Sequence, residues 1–145
     1  MTTVAYDFDV IAWAQEQAAL LRSGQFSLLD IEHIAEEIED VGKSEQRELL
    51  SRMVVLLAHL LKWQYQAERR SNSWRLTIIG QRKEVAYALK EMPSLKAKFR
   101  DPEWVDLLWA KAIAHAASET GLSVFPETCP WSFQQMMDID FWPNG

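Results

Sequence analysis

The stretch Ser44–Gln66, SEQRELLSRMVVLLAHLLKWQYQ, limits what this chain can fold into more than any other. On a helix, at ~100° per residue, Leu49, Leu50, Met53, Val54, Leu56, Leu57, Leu60, Leu61, Trp63 and Tyr65 cover roughly 220° of the surface. A helix lying against one side of a core needs an apolar stripe of only about 100°. A segment this apolar has to be covered on two or three sides, so it is expected to be the central helix of a bundle. The narrow strip left over carries Glu48, Arg52, His59, Lys62, Gln66 and Arg70 in helical register. That strip is either a solvated face or the wall of a site.

The neighbouring segments read as helices with clear punctuation. A first helix starts at an Asp7 or Asp9 cap and ends at Ser23, with Gly24 left to take the left-handed position. Ser27 is suited to cap a second helix that stops at Gly42, its inner stripe formed by Leu28, Ile31, Ile34, Ala35, Ile38 and Val41. With Ser44 capping the next helix, the two are expected to form a tight hairpin. Asn72 or Ser73 opens a fourth helix, Trp74 to about Glu91, closed by Pro93. A short turn of helix follows through Leu95 to Phe99. Asp101-Pro102 begins an alanine-rich helix that runs to Thr120 and ends at Gly121. The proline-rich tail, residues 122–145, is expected to wrap the bundle, with two turns of helix from Trp131 to Met137 and with Phe125, Trp131 and Phe133 buried. No stretch shows the alternation of a strand.

These segments predict an all-α fold: a compact helical bundle around a central third helix, with a wrapping C-terminal tail. A chain of 145 residues is expected to be one domain. Its hydrophobic content of 48% is that of a globular protein. The start, MTTVAYDFDV, has no signal-peptide pattern, no run approaches the ~20 apolar residues of a membrane span, and a single cysteine suits a reducing compartment. A cytoplasmic protein is expected.

The charge is unevenly placed. Asp30 to Glu48 holds eight acids against two bases, whereas Lys62 to Lys83 holds six bases against one acid. Internal pairing of these regions accounts for them better than a docking surface for an acidic partner. The basic segment interleaves Lys62, Arg69, Arg70, Arg75, Arg82 and Lys83 with Trp63, Tyr65 and Trp74, a mixture suited to single-stranded nucleic acid. The net charge of −6 argues against that reading.

Over nearly its whole length the sequence resembles a known family. The run YDFDVIAWAQEQAALLRSGQFSLLDIEHIAEEIEDVGKSEQRELLSRMVVLLAHLLKWQYQAERRSNSWRLTIIGQRKEV, with PSLK, ETGL and FPETCPWSFQQMMD further on, is similar to the bacterial family catalogued as domain of unknown function twenty-nine, common in cyanobacteria. The resemblance extends from Tyr6 to Trp142 and implies a compact helical protein of bacterial origin; it implies no activity. Three positions depart from the family pattern: Ala67 where a proline follows YQ, His33 where an asparagine is usual, and Gly80 where a glutamate often lies. No role for His33 follows from the family.

Candidate chemistry is sparse. Glu32, Glu36 and Asp40 repeat at four-residue spacing, with His33 three before Glu36. Carboxylate-bridged bundles place Glu-x-x-His on each of two helices, facing inward. Here the order is reversed, there is one copy, and the acids lie opposite the apolar stripe, so a solvated face explains them better than a metal. His59, beside Lys62, has the ordinary pKa of ~6.5 that suits a general base, although a lone histidine on an apolar helix is more often structural. His115, four residues from both Lys111 and Glu119, reads as helix-surface charge. Cys129, in CPW, lies where it caps a tail helix, which would activate a thiolate; a buried inert thiol is the plainer reading. There is no glycine-rich phosphate loop, no Cys-x-x-Cys and no serine-nucleophile elbow, and no cofactor is expected.

Gln17, Gln64 and Arg82 fall inside apolar arcs on three different helices. Burying an unpaired cation or amide costs several kcal/mol. They are therefore expected to meet partners in a central polar network, with the acids of the second helix or Glu48 facing Arg82. Such a network fixes helix register or lines a ligand cavity, and its candidate residues are His59, Lys62, Gln64, Arg70, Arg75 and Arg82. The expected function is a protein-interaction or regulatory module, antitoxin-like, rather than an enzyme. The alternatives are a small enzyme or metal-binding protein with a pocket around His59, and nucleic-acid binding through Lys62–Lys83. The oligomeric state is left open.

Overall fold

The computed structural model describes residues 4–144, and these contain five α-helices, three short 3-10 turns and no strand. The α-helices are α1 (Val10–Arg22), α2 (Ile31–Tyr65), α3 (Asn72–Glu91), α4 (Pro102–Thr120) and α5 (Phe133–Met137).

The longest of them corrects the sequence reading. The expected second and third helices are one unbroken helix, and no hairpin separates Gly42 from Ser44. Gly42 does not adopt the positive φ of a helix terminator; among the described glycines only Gly24 and Gly121 do. A glycine inside a helix costs only about 1 kcal/mol relative to alanine, and no proline stands nearby to enforce a break. Ser27 is likewise no cap, because it sits inside the 3-10 turn Phe26–Leu28. The helix opens instead after Asp30, whose Oδ1 accepts from the His33 amide at 3.4 Å.

Elsewhere the chemistry of the ends acts as the sequence predicts. Asp9 caps α1 by accepting from the Ala12 amide, and Gly24 follows with φ 74°. Ser71, one or two residues before the expected cap, accepts from the Trp74 amide to start α3. Asp101 caps α4, Pro102 occupies its first turn and Gly121 ends it at φ 73°. α5 departs from expectation: it starts at Phe133 rather than Trp131, and Ser132 with Gln135, not Cys129, caps it in a reciprocal capping box.

The chain divides into two units, residues 1–45 and 46–145. α2 contributes its N-terminal part to the first and its residues from Gln46 onward to the second.

In the first unit α1 turns Trp13, Gln17 and Leu20 inward. The N-terminal part of α2 behaves differently from expectation. Ile31, Ile38 and Val41, placed by their spacing on an inner stripe, are 70%, 68% and 66% exposed.

The second unit holds the core. Leu49, Met53, Leu56, Leu57, Leu60 and Leu61 of α2 are buried against Ile78, Val85 and Leu89 of α3, Leu108, Trp109, Ala112 and Ala116 of α4, and Met136 of α5. Within this unit the α2 segment is the central helix that its 220° apolar arc demands. The tail packs back on the core through Phe125, Trp131, Met137 and Trp142. Phe133, expected to be buried, stays exposed while its ring leans on Phe99 at 4.3 Å.

Candidate functional site

The six candidate residues of the second unit do not converge on one cavity. Arg82 of α3 is 2% exposed, so the apolar stripe does enclose it, but its partners are not carboxylates. Nε donates to the Met136 carbonyl at 2.7 Å, and Nη2 donates to the Phe141 carbonyl at 2.8 Å and the Gln135 carbonyl at 3.4 Å. The last carbonyls of a helix have no partner within it, and a five-residue helix such as α5 leaves most of its carbonyls in that state. A planar guanidinium with several donors fits this need better than an ammonium. Burial holds its pKa below the ordinary value, an effect that the Asp138 charge partly offsets. Its face lies over the Trp142 ring, 5.6 Å from the centroid. Arg82 is a pin for the tail.

Lys62 is also enclosed. Its Nζ donates to Glu119 Oε2 at 2.5 Å and sits 4.9 Å from the centroid of Trp74. The other oxygen of Glu119 accepts from His115 Nε2 at 2.9 Å. Glu119 thus clamps a cation of α2 to a histidine of α4, and the Lys62 hydrogen bond holds its carboxyl below the usual range. The link spans 57 residues, so sequence spacing, which pairs Glu119 with His115 alone, could not show it.

His59 lies one turn before Lys62. Its Nδ1 donates to the Val55 carbonyl at 2.8 Å, which leaves Nε2 as the free ring atom. Desolvation lowers its pKa, the Val55 bond opposes this in part, and the Lys62 charge adds to it, so the ring is neutral at pH 7. A neutral imidazole of this kind can accept a proton, but no hydroxyl or thiol is hydrogen-bonded to it among the described residues.

The other candidates are dispersed. Arg70 donates Nε to the Trp63 carbonyl at 2.7 Å and stacks 5.0 Å from that ring. Arg75 is exposed and donates to Asn72 Oδ1. Gln64 is half-buried on α2, and Gln17 lies in the first unit, where its Oε1 accepts from the Asp30 amide at 2.8 Å. The expected central network is therefore divided: Arg70 and Arg82 are linked through the Trp63–Trp142 ring pair, centroids 4.7 Å apart, whereas Lys62 is held by Glu119 and Gln17 lies in the first unit. In the basic segment Lys62, Arg70 and Arg82 are committed to internal partners, while Arg69, Arg75 and Lys83 remain exposed.

In the first unit the four weak metal candidates separate as well. Glu32, Glu36 and Asp40 are exposed, and no group of three His, Cys, Asp or Glu side chains that could hold a metal occurs among the described residues. His33 turns away from the acids into a cluster that the sequence did not signal. Its Nδ1 lies 2.7 Å from Asp30 Oδ2, which also accepts from Trp13 Nε1 at 2.9 Å. Its ring stacks on Tyr6 at 4.2 Å, and the Tyr6 hydroxyl is bonded to Glu37. Glu37 pushes the Tyr6 pKa up to about 12. The Asp30 bond raises the pKa of His33.

Beside this cluster, α1 and α2 enclose a groove of about 300 Å³ lined by Trp13, Ala14, Leu21, Ile34, Ile38 and Val41. Glu37 is its one charged lining residue. At ~100° per residue, Val10, Ala14 and Leu21 of α1, and Ile31, Ile34, Ile38 and Val41 of α2, each fall on one side of their helix. The acids Glu32, Glu36, Glu39 and Asp40 fall on the opposite side of α2.

Comparison with known proteins places the chain but gives it no activity. The model of the family described as "Domain of unknown function DUF29" matches residues 5–142. No functionally curated protein matches the sequence. Among solved structures, an alpha-helical protein of unknown function from Rhodospirillum rubrum ATCC 11170 is similar at 23% identity and a TM-score of 0.58, over 97% of this chain and 93% of that one. That likeness bears on the fold. No described helix is long and apolar enough to cross a membrane.

Proposed function

We propose that this chain, which belongs to the DUF29 family, is a regulatory protein-interaction module whose apolar α1/α2 face receives an amphipathic helix of a partner protein, flanked by basic residues. One observation carries the reading: an apolar stripe long enough for a core, Ile31-Ile34-Ile38-Val41, lies largely uncovered along a groove of about 300 Å³. Monomeric proteins rarely leave so many large apolar side chains together in water. A helix laid in such a groove presents anchors at i, i+3, i+4 and i+7.

Charge selects the occupant. Residues 1–45 carry ten acids against two bases, a net −8. A second copy of the chain would bring the same −8 to the face, whereas a basic-flanked helix brings the complement. The single cysteine suits a reducing, cytoplasmic setting for such a module.

The test uses a fluorescent amphipathic peptide of leucine, alanine and lysine in helical register, with a scrambled peptide of equal composition as control. Preferential binding of the amphipathic peptide, weakened by salt and by Ile38→Glu or Val41→Glu, is expected. Equal binding of both peptides would overturn the reading. So would sedimentation showing a dimer that Ile38→Glu converts to monomer, because the occupant would then be a second copy.

A further inference from the structure

We propose that the groove between α4 and the tail segment Phe125–Cys129, within the second unit, binds an organic ammonium ion with an apolar body. The cavity measures about 850 Å³, within the range of small-molecule sites. Its floor is apolar: Val105, Trp109 and Ile113 lie along α4 at four-residue spacing, and Phe125 faces them from the tail.

The aromatic floor is held in place. The Trp109 indole Nε1 donates to the Pro126 carbonyl at 3.0 Å, and the ring meets Trp131 edge-on at 5.7 Å. Phe125 meets Tyr65 edge-on at 5.3 Å. Fixed rings accept a ligand without first losing rotamer freedom. The indole N–H is already used and Trp109 is only 4% exposed, so the aromatic surface open to a ligand comes mainly from half-buried Phe125.

Two carboxylates, Asp106 and Glu127, supply the only charge in the lining. Neither forms an ion pair or a side-chain hydrogen bond among the described residues, unlike Glu119 and Asp30. Anions are therefore repelled, and a neutral apolar ligand leaves both carboxylates unused. A cation with an apolar body satisfies the rings and the carboxylates together, since ammonium groups are drawn both to aromatic faces and to carboxylates. The Cys129 thiol, which burial keeps protonated and which donates to the Trp131 carbonyl at 3.5 Å, serves as one more soft wall.

The experiment compares three probes with one apolar body: phenylbutylamine, phenylbutanol and phenylbutyrate. Each is titrated into the full chain by calorimetry and by saturation-transfer NMR at neutral pH. Phenylbutylamine should bind at least roughly tenfold more tightly than the alcohol, and the carboxylate should bind least. The exposed pair Asp106→Asn and Glu127→Gln should abolish the preference for charge while leaving residual binding of the alcohol. Ala110→Phe, placed in the cavity wall at an exposed position, should block all three. Equal affinity for the three probes overturns the ligand class. Binding that survives Ala110→Phe, or no binding by any probe, overturns the site.

Discussion

Nε of Arg82 donates to the main-chain carbonyl of Met136 at 2.7 Å, joining the middle of α3 to the last turn of α5 across 54 residues. The guanidinium is almost fully enclosed, and a second donor reaches Phe141. Removing it leaves those two carbonyls short of a partner, at about 1–3 kcal/mol each. Arg82→Met should therefore lower unfolding stability by roughly 3–5 kcal/mol in urea titrations. Arg82→Lys should recover less than half of the loss, because one ammonium cannot reproduce the fork. Limited proteolysis should cut the Arg82→Met protein first in the tail beyond Gly121.

The Lys62–Glu119 pair predicts a signed dependence on pH. Glu119 has a folded pKa below its ordinary 4.5, so its contribution is present above that value and is lost as pH falls through the lower folded value. Glu119 is 43% exposed, which limits the pair to about 1 kcal/mol. Glu119→Gln should melt lower than the parent at neutral pH, and the two melting curves should converge in strong acid. A gap that persists unchanged in acid would mean that the charge is not what holds Lys62.

Two of the three histidines should titrate on opposite sides of 6.5. The Asp30 bond raises His33, so its contribution is complete below 6.5 and disappears as pH rises through the folded value. Desolvation lowers His59, so its contribution is complete above 6.5 and is lost on acidification. NMR titration of the imidazole protons should show this order. Asp30→Asn should bring His33 down and leave His59 unmoved.

Exposure separates two residues that sequence pattern treats alike. Leu56 and Ile38 both sit on apolar stripes of α2, yet Leu56 is fully buried and Ile38 is 68% exposed. Leu56→Ala should cost about 2–5 kcal/mol. Ile38→Ala should stay within about 0.5 kcal/mol of the parent. An equally large loss at Ile38 would show that its face is already covered.

This contrast marks what was legible. The helix from Asp101 to Gly121 was readable because cap, proline and glycine each act locally, within one turn. The burial of Arg82 was readable because its position on α3 falls among Ile78, Val85 and Leu89. Its partners were not, because main-chain carbonyls carry no residue type. The Lys62–Glu119 clamp was hidden for a related reason: the α2–α4 pairing that brings the two together is a tertiary fact. The pattern Ile31-Ile34-Ile38-Val41 states that a face is apolar, and says nothing about whether the cover belongs to the same chain.

Gly42 offers the sharpest test of the long helix. A two-residue turn between helices would need a break at this point, with Ser44 as a cap. In the structure α2 is continuous, Gly42 has no positive φ, and a methyl group added there would meet nothing within 4 Å. Alanine at an exposed helix-interior glycine stabilises by about 1 kcal/mol, through backbone entropy lost from the unfolded chain. Gly42→Ala should accordingly raise stability by about that amount, and Ser44→Ala, which removes no capping bond, should be neutral or slightly stabilising. Gly42→Pro should be severe, because a proline removes a helical hydrogen bond and clashes with the preceding turn. A hairpin would reverse the first two signs: alanine at a turn glycine would strain the backbone, and loss of the Ser44 hydroxyl would cost about 1 kcal/mol of cap. Urea titration of the two alanine variants decides between one helix and two.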